Sequence, residues 1–77
     1  VTIFPNPVVG TFNINSKKPL KNARITLTDL SGRIVKQLFN ISAPAVSMDT
    51  YGIAPGTYIL HIDDSQQHVN FKLIVGQ

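Results

Sequence analysis

The sequence predicts an all-β antiparallel sandwich of about seven short strands. Three observations point there. Apolar residues recur with a period of two along almost the whole chain, as half-buried strands require. Turn residues interrupt that pattern every ~8–12 residues. No segment keeps helical periodicity for three turns.

The elements follow in order. Thr2 to Phe4 is a short apolar start, broken by Pro5-Asn6-Pro7, because each proline lacks an amide donor and has a fixed φ. Phe12 and Ile14 alternate with Thr11, Asn13 and Asn15 as a half-buried strand. Ser16 to Asn22 reads as a polar loop. Ala23, Ile25 and Leu27 alternate with Arg24, Thr26 and Thr28, the cleanest strand of the chain. Asp29-Leu30-Ser31-Gly32 suits a type I turn, with Gly32 free to take positive φ. Arg33 to Phe39 is the return strand, so residues 23 to 39 form a hairpin.

Asn40 to Pro44 is a second loop, and Val46 and Met48 alternate with Ser47 and Asp49 on a short strand. Tyr51 to Gly56 is a corner, where Pro55-Gly56 favours a tight turn. Tyr58, Leu60 and Ile62 alternate with Thr57, Ile59 and His61. After a hairpin turn at Asp63-Asp64-Ser65-Gln66, the last strand carries Val69, Phe71, Leu73 and Val75. The expected core rows are Phe12/Ile14, Ala23/Ile25/Leu27, Tyr58/Leu60/Ile62 and Phe71/Leu73.

Seventy-seven residues make one domain, residues 1–77. A chain of this size buries only a little over ~60% of its extended surface, so its core has little to spare for a costly buried site. There is no cysteine, which excludes disulfides and thiolate metal sites. No apolar run approaches the ~18 residues of a membrane-spanning helix, so no direct membrane insertion is expected. The chain opens at Val1 without a basic stretch ahead of an apolar core, and reads as part of a longer chain. If the parent is secreted, its export signal lies upstream.

The net charge is +3, and Lys17, Lys18, Lys21 and Arg24 lie close together. Such a cluster can bind nucleic acid or an anionic surface. Ser16, Pro19 and Asn22 among them favour a solvated loop, and no aromatic platform sits beside them, so no nucleic-acid partner is expected.

Enzyme chemistry finds little support. The only acids are Asp29, Asp49, Asp63 and Asp64. Asp29, Asp63 and Asp64 sit in turns, where their side chains accept bonds from nearby amides. Asp63, Asp64 and Ser65 offer oxygens to calcium, but fewer than it needs. His61 and His68 flank one hairpin and could face each other across it. Two imidazoles without a third ligand make an incomplete metal site, and solvent-facing polar positions are the plainer expectation. No serine sits in a nucleophile elbow and no glycine-rich loop opens a helix. No catalytic residue, metal or cofactor is expected.

Three punctuated segments resemble a known family. Phe4-Pro5-Asn6-Pro7, followed by Gly10 and Phe12, resembles its opening motif. ITLTDLSGRIV, Ile25 to Val35, resembles its central hairpin. Gly52 to Leu60, followed by Phe71 to Val75, resembles its closing half. In order and spacing they are similar to the type A C-terminal sorting domain of the type IX (Por) secretion system of Bacteroidetes. The resemblance spans essentially the whole chain.

It implies an immunoglobulin-like antiparallel sandwich following an N-terminal cargo domain in the parent chain. The cargo would reach the periplasm by its own signal and cross the outer membrane folded, read by the type IX translocon. A sortase-like surface peptidase would then remove the domain, leaving the cargo at the cell surface or secreted. The domain would be a substrate, not a catalyst.

Residue by residue, Pro5, Asn6 and Pro7 match the opening motif, Asp29, Gly32 and Arg33 the hairpin, and Gly56 and Tyr58 the closing corner. Lys72 matches a basic position of the terminal strand. Phe4 stands where tyrosine is commoner, and the strand has one lysine rather than an adjacent pair, ending Gly76-Gln77. Most matched residues have an architectural reading as well: prolines block a sheet edge, Asp29 and Gly32 make a turn, and the Tyr58 hydroxyl ties down a corner. Arg33 and Lys72 are the best candidates for translocon contact, because neither the turn nor the core requires a cation there. Leu73, Ile74 and Val75 join them as the end of the last strand.

The alternative is an accessory carbohydrate-binding module or a plain spacer of a secreted enzyme. Glycan modules use exposed aromatics, whereas there is no tryptophan here, and most of Phe4, Phe12, Phe39, Tyr51, Tyr58 and Phe71 are expected to be buried or in corners.

Overall fold

The computed structural model describes residues 2–4 by their backbone and residues 10–76 in full. Pro5, Asn6 and Pro7 lie outside the described residues. Seven strands are present among those described: β1 Thr2–Phe4, β2 Thr11–Asn15, β3 Ala23–Asp29, β4 Ile34–Ile41, β5 Ala45–Asp49, β6 Gly56–Asp63 and β7 His68–Val75. They form two antiparallel sheets, ordered β1-β2-β5 and β4-β3-β6-β7. The expected all-β sandwich is therefore the observed architecture, consistent with an immunoglobulin-like fold.

Strands β2, β3, β6 and β7 turn alternate apolar residues toward the facing sheet. The core holds Phe12 and Ile14 of β2, Ala23, Ile25 and Leu27 of β3, Tyr58, Leu60 and Ile62 of β6, and Leu73 and Val75 of β7. Met48 completes it from β5. Phe71, expected in a core row, is only half-buried and packs against the core margin, because β7 stands last in the order of its sheet.

The loop at 16–22 holds the main departure from expectation. It reads as polar, yet Leu20 within it is 1% exposed and belongs to the core. Backbone bonds explain this. The amides of Ser16 and Leu20 donate to the carbonyls of Pro44 and Ala43, at 2.8 and 2.9 Å. The loop is thus strapped across the end of the sandwich, and Leu20 closes it like a plug.

Strand β4 is longer than predicted and irregular. Its register against β3 shifts between Ala23 and Ile25 and again between Leu27 and Thr28. Each shift places an extra residue on β4, the arrangement of a β-bulge. Asn40, at the first, has φ of 55°. The bulged strand leaves Phe39 exposed rather than buried or in a corner. Lys36 turns toward the other sheet, where its ammonium donates to the Asp49 carbonyl at 2.9 Å and carboxylate at 2.8 Å. That bond ties β4 to β5 across one open side of the sandwich.

Candidate recognition surface

The central hairpin turns on the Asp29 carboxylate. Its Oδ1 accepts the Ser31 amide at 2.9 Å, the Ser31 hydroxyl at 2.6 Å and the Arg33 amide at 3.0 Å. The Gly32 amide donates to the Asp29 carbonyl at 3.0 Å, and the Asp29 amide to the Arg33 carbonyl at 2.9 Å. Gly32 takes φ of 93°, a conformation that the missing Cβ permits. The Ser31 hydroxyl, then the Arg33 amide, hold the Asp29 carboxyl below its ordinary pKa of 3.8. Locked this way, the turn projects the Arg33 side chain into solvent, with Nε 3.4 Å from the Asp29 carboxylate.

The closing corner is held by Tyr58. Its ring is buried in the core and its hydroxyl donates to the Ala54 carbonyl at 2.6 Å. This is the tie between a core aromatic and a corner loop known from immunoglobulin-like sandwiches. Gly56, beside it, begins β6 and pairs with Val75. Thr50 anchors the same corner, its amide and hydroxyl donating to the Gly10 carbonyl at 2.7 and 3.0 Å. Nothing in the sequence singles out Thr50, because its partner is 40 residues away.

Strand β7 divides its candidate residues between two faces. Leu73 and Val75 point inward and are buried, whereas Lys72 and Ile74 point outward and are exposed. Register places Lys72 opposite Ile59, which pairs with Thr28, which pairs with Ile34. Arg33 adjoins Ile34 in sequence. The fold therefore brings Arg33, Lys72 and Ile74 toward one end of the four-stranded sheet, while Leu73 and Val75 support that end from beneath.

Beside Ile34, Ile59 and Ile74, the outer face of this sheet carries polar side chains. Gln37 donates to the Thr26 hydroxyl at 3.0 Å, and the His61 ring lies 3.2 Å from the Thr28 hydroxyl and 2.8 Å from Asn70 Oδ1. The two histidines do not face each other. His61 is opposite Asn70, and His68 is opposite Asp63, whose carboxylate is 2.7 Å away. A shallow groove of about 370 Å³ runs over this face between Arg24, Gln37, His61 and Asp63. In the β6–β7 turn, Asp64 Oδ1 accepts the Gln66 and Gln67 amides, both at 2.8 Å, so its carboxylate builds the turn. Among the described residues no group of three His, Cys, Asp or Glu is arranged to hold a metal ion.

Comparison with known families gives an assignment over nearly the entire chain. The secretion system C-terminal sorting domain matches residues 2–76. No curated protein matches the chain. The match takes in the Asp29–Arg33 turn, the Tyr58 corner and strand β7, the segments described above. A match of this extent decides the family: the chain belongs to the secretion system C-terminal sorting domains, the C-terminal signals of type IX secretion, whose usual context is the Bacteroidetes.

Proposed function

We propose that this domain ends a secreted protein and marks its folded cargo for passage from the periplasm through the type IX translocon. A sortase-like surface peptidase then removes the domain as the cargo is anchored at the surface or released. The domain supplies no catalytic group to that step; it is the part that is recognised and cut. The single observation that carries this reading is the family match across residues 2–76.

Recognition reads a folded shape. Arg33 and Lys72 supply cations on the outside, and Ile74 supplies an apolar contact beside Lys72. Leu73 and Val75 act through the core, by holding β7 against β6. A buried side chain cannot be touched without breaking the sheet, so its part in recognition is to fix the surface above it.

Fusion of the domain to a periplasmic reporter in a competent Bacteroidetes host tests this function. The reporter is expected at the surface or in the medium. A folded fusion that stays in the periplasm would refute the reading.

A further inference from the structure

The groove on the outer face of the four-stranded sheet has a fixed polar floor. Arg24, Thr26 and Thr28 point outward from β3, because Ala23, Ile25 and Leu27 between them point into the core. Thr26 and Thr28 are nevertheless only 7% and 9% exposed. Gln37 of β4 and His61 of β6 wall them in, each set against one threonine hydroxyl, at 3.0 and 3.2 Å. The groove crosses β4, β3 and β6, and its 370 Å³ lies at the small end of the ~300–1,000 Å³ usual for ligand sites. Arg24 and Asp63, opposite each other in register, stand at one end of it.

The groups left open at that end are mixed in kind. Among the described residues the Arg24 guanidinium has no hydrogen bond or ion pair. Asp63 gives one carboxylate oxygen to His68, at 2.7 Å, and among the described residues its Oδ2 stays open. Gln37 donates through its Nε2 and keeps its carbonyl oxygen. A planar fork of donors thus stands beside two acceptors. An anion would meet the Asp63 carboxylate and a cation the Arg24 guanidinium, and like charges set together are costly. A neutral ligand whose groups each donate and accept suits both residues, and neighbouring hydroxyls are such groups.

Phe39 adds an aromatic wall. The register shift between Ala23 and Ile25 sets Phe39 and Asn40 of β4 against Arg24 alone. Leu38 before them packs against the core, so Phe39 turns outward, and it is 59% exposed. Cross-strand neighbours on one face stand roughly 5 Å apart at Cβ, which puts the ring beside the Arg24 end of the groove. The face of an aromatic ring is negative and attracts weakly positive C–H groups. A sugar ring carries hydroxyls around its edge and C–H groups on its faces. We propose that this groove is a saccharide site, in which Arg24, Asp63 and Gln37 hold the hydroxyls of a neutral sugar and Phe39 covers its C–H face. The site goes beyond the sorting function and does not depend on it.

The test is a titration of the isotope-labelled domain with the methyl glycosides of glucose, galactose, mannose and N-acetylglucosamine, followed by amide chemical shifts. With at least one of these sugars the amides of residues 24, 37–40 and 61–63 should shift together and saturate, with Kd on the order of 1 mM. Arg24→Gln and Phe39→Ser should each weaken that binding about tenfold or more, the loss one hot-spot residue produces. Both side chains are exposed and outside the core, so thermal melting should stay close to that of the natural domain, and either folded variant decides the point. No shift with any of the sugars at about fifty times that Kd overturns the site. Shifts that map away from the groove overturn it as well, as does binding that the folded variants keep. Glucuronate bound about tenfold more tightly than methyl glucoside makes the groove an anion site and also overturns the proposal. Each of these outcomes leaves the sorting function standing.

Discussion

Replacing Tyr58 by phenylalanine removes one oxygen and leaves the ring in place. The ring packs in the core, so no cavity opens and the hydrophobic contribution is kept. What is lost is the 2.6 Å bond from the hydroxyl to the Ala54 carbonyl. Ala54 is exposed, so water can solvate its carbonyl in the variant, and the loss is the net value of one hydrogen bond, about 0.5–1.5 kcal/mol. In a domain of this size about 1 kcal/mol lowers Tm by roughly 4–8 °C. That is a sizeable part of a total stability on the order of 4–12 kcal/mol. The assay is urea and thermal unfolding of the isolated domain, followed by circular dichroism. The urea midpoint should fall with an unchanged slope, because the native and unfolded surfaces stay the same. Hydrogen exchange should rise chiefly in residues 51–55, the loop released. Tyr58→Ala is the contrasting case, expected to cost about 3–5 kcal/mol by emptying a core site. A Tyr58→Phe domain as stable as the natural one would refute the view that the hydroxyl ties down the corner.

Two further outcomes follow from the structure. Leu20→Ala should destabilise by about 2–5 kcal/mol in urea melts, as a core truncation does, although its neighbours are loop residues; a loss below about 0.5 kcal/mol, typical of surface sites, would show that Leu20 is no plug. Stability should also decline in acid. Asp29 is held below its usual value of 3.8 by the Ser31 hydroxyl, Asp49 by the Lys36 ammonium, and Asp64 by the Gln66 amide. Native carboxyls more acidic than unfolded ones favour the fold above pH 3.8, and that contribution is lost as pH falls below it through the native values. Tm measured from about pH 6 to about pH 2 should drop most steeply at the acid end, and less steeply in Asp29→Asn; a flat profile would count against these bonds.

Much of the candidate surface is legible in the amino-acid sequence. Asp29, Gly32 and Arg33 follow from turn chemistry, since an acid at the first position and a glycine at the positive-φ position leave the next side chain outside. Alternation along β7 likewise puts Lys72 and Ile74 opposite in sense to Leu73 and Val75.

The fold class, the strands to within a few residues and most of the core are written locally in the chain. They depend on alternation and on turn residues, which act over two to five neighbouring positions. The sheet order, the pairing of β2 with β5 and the bond from Lys36 to Asp49 emerge only when the strands assemble. So do the burial of Leu20 and the exposure of Phe39 on the bulged β4. Each of these outcomes depends on which distant strands pair and in what register, a choice made by the whole core at once. The meeting of the 16–22 and 42–44 loops at one end of the sandwich belongs to this second kind. It arises because antiparallel pairing collects alternate loops at each end of the sandwich, wherever they fall along the chain.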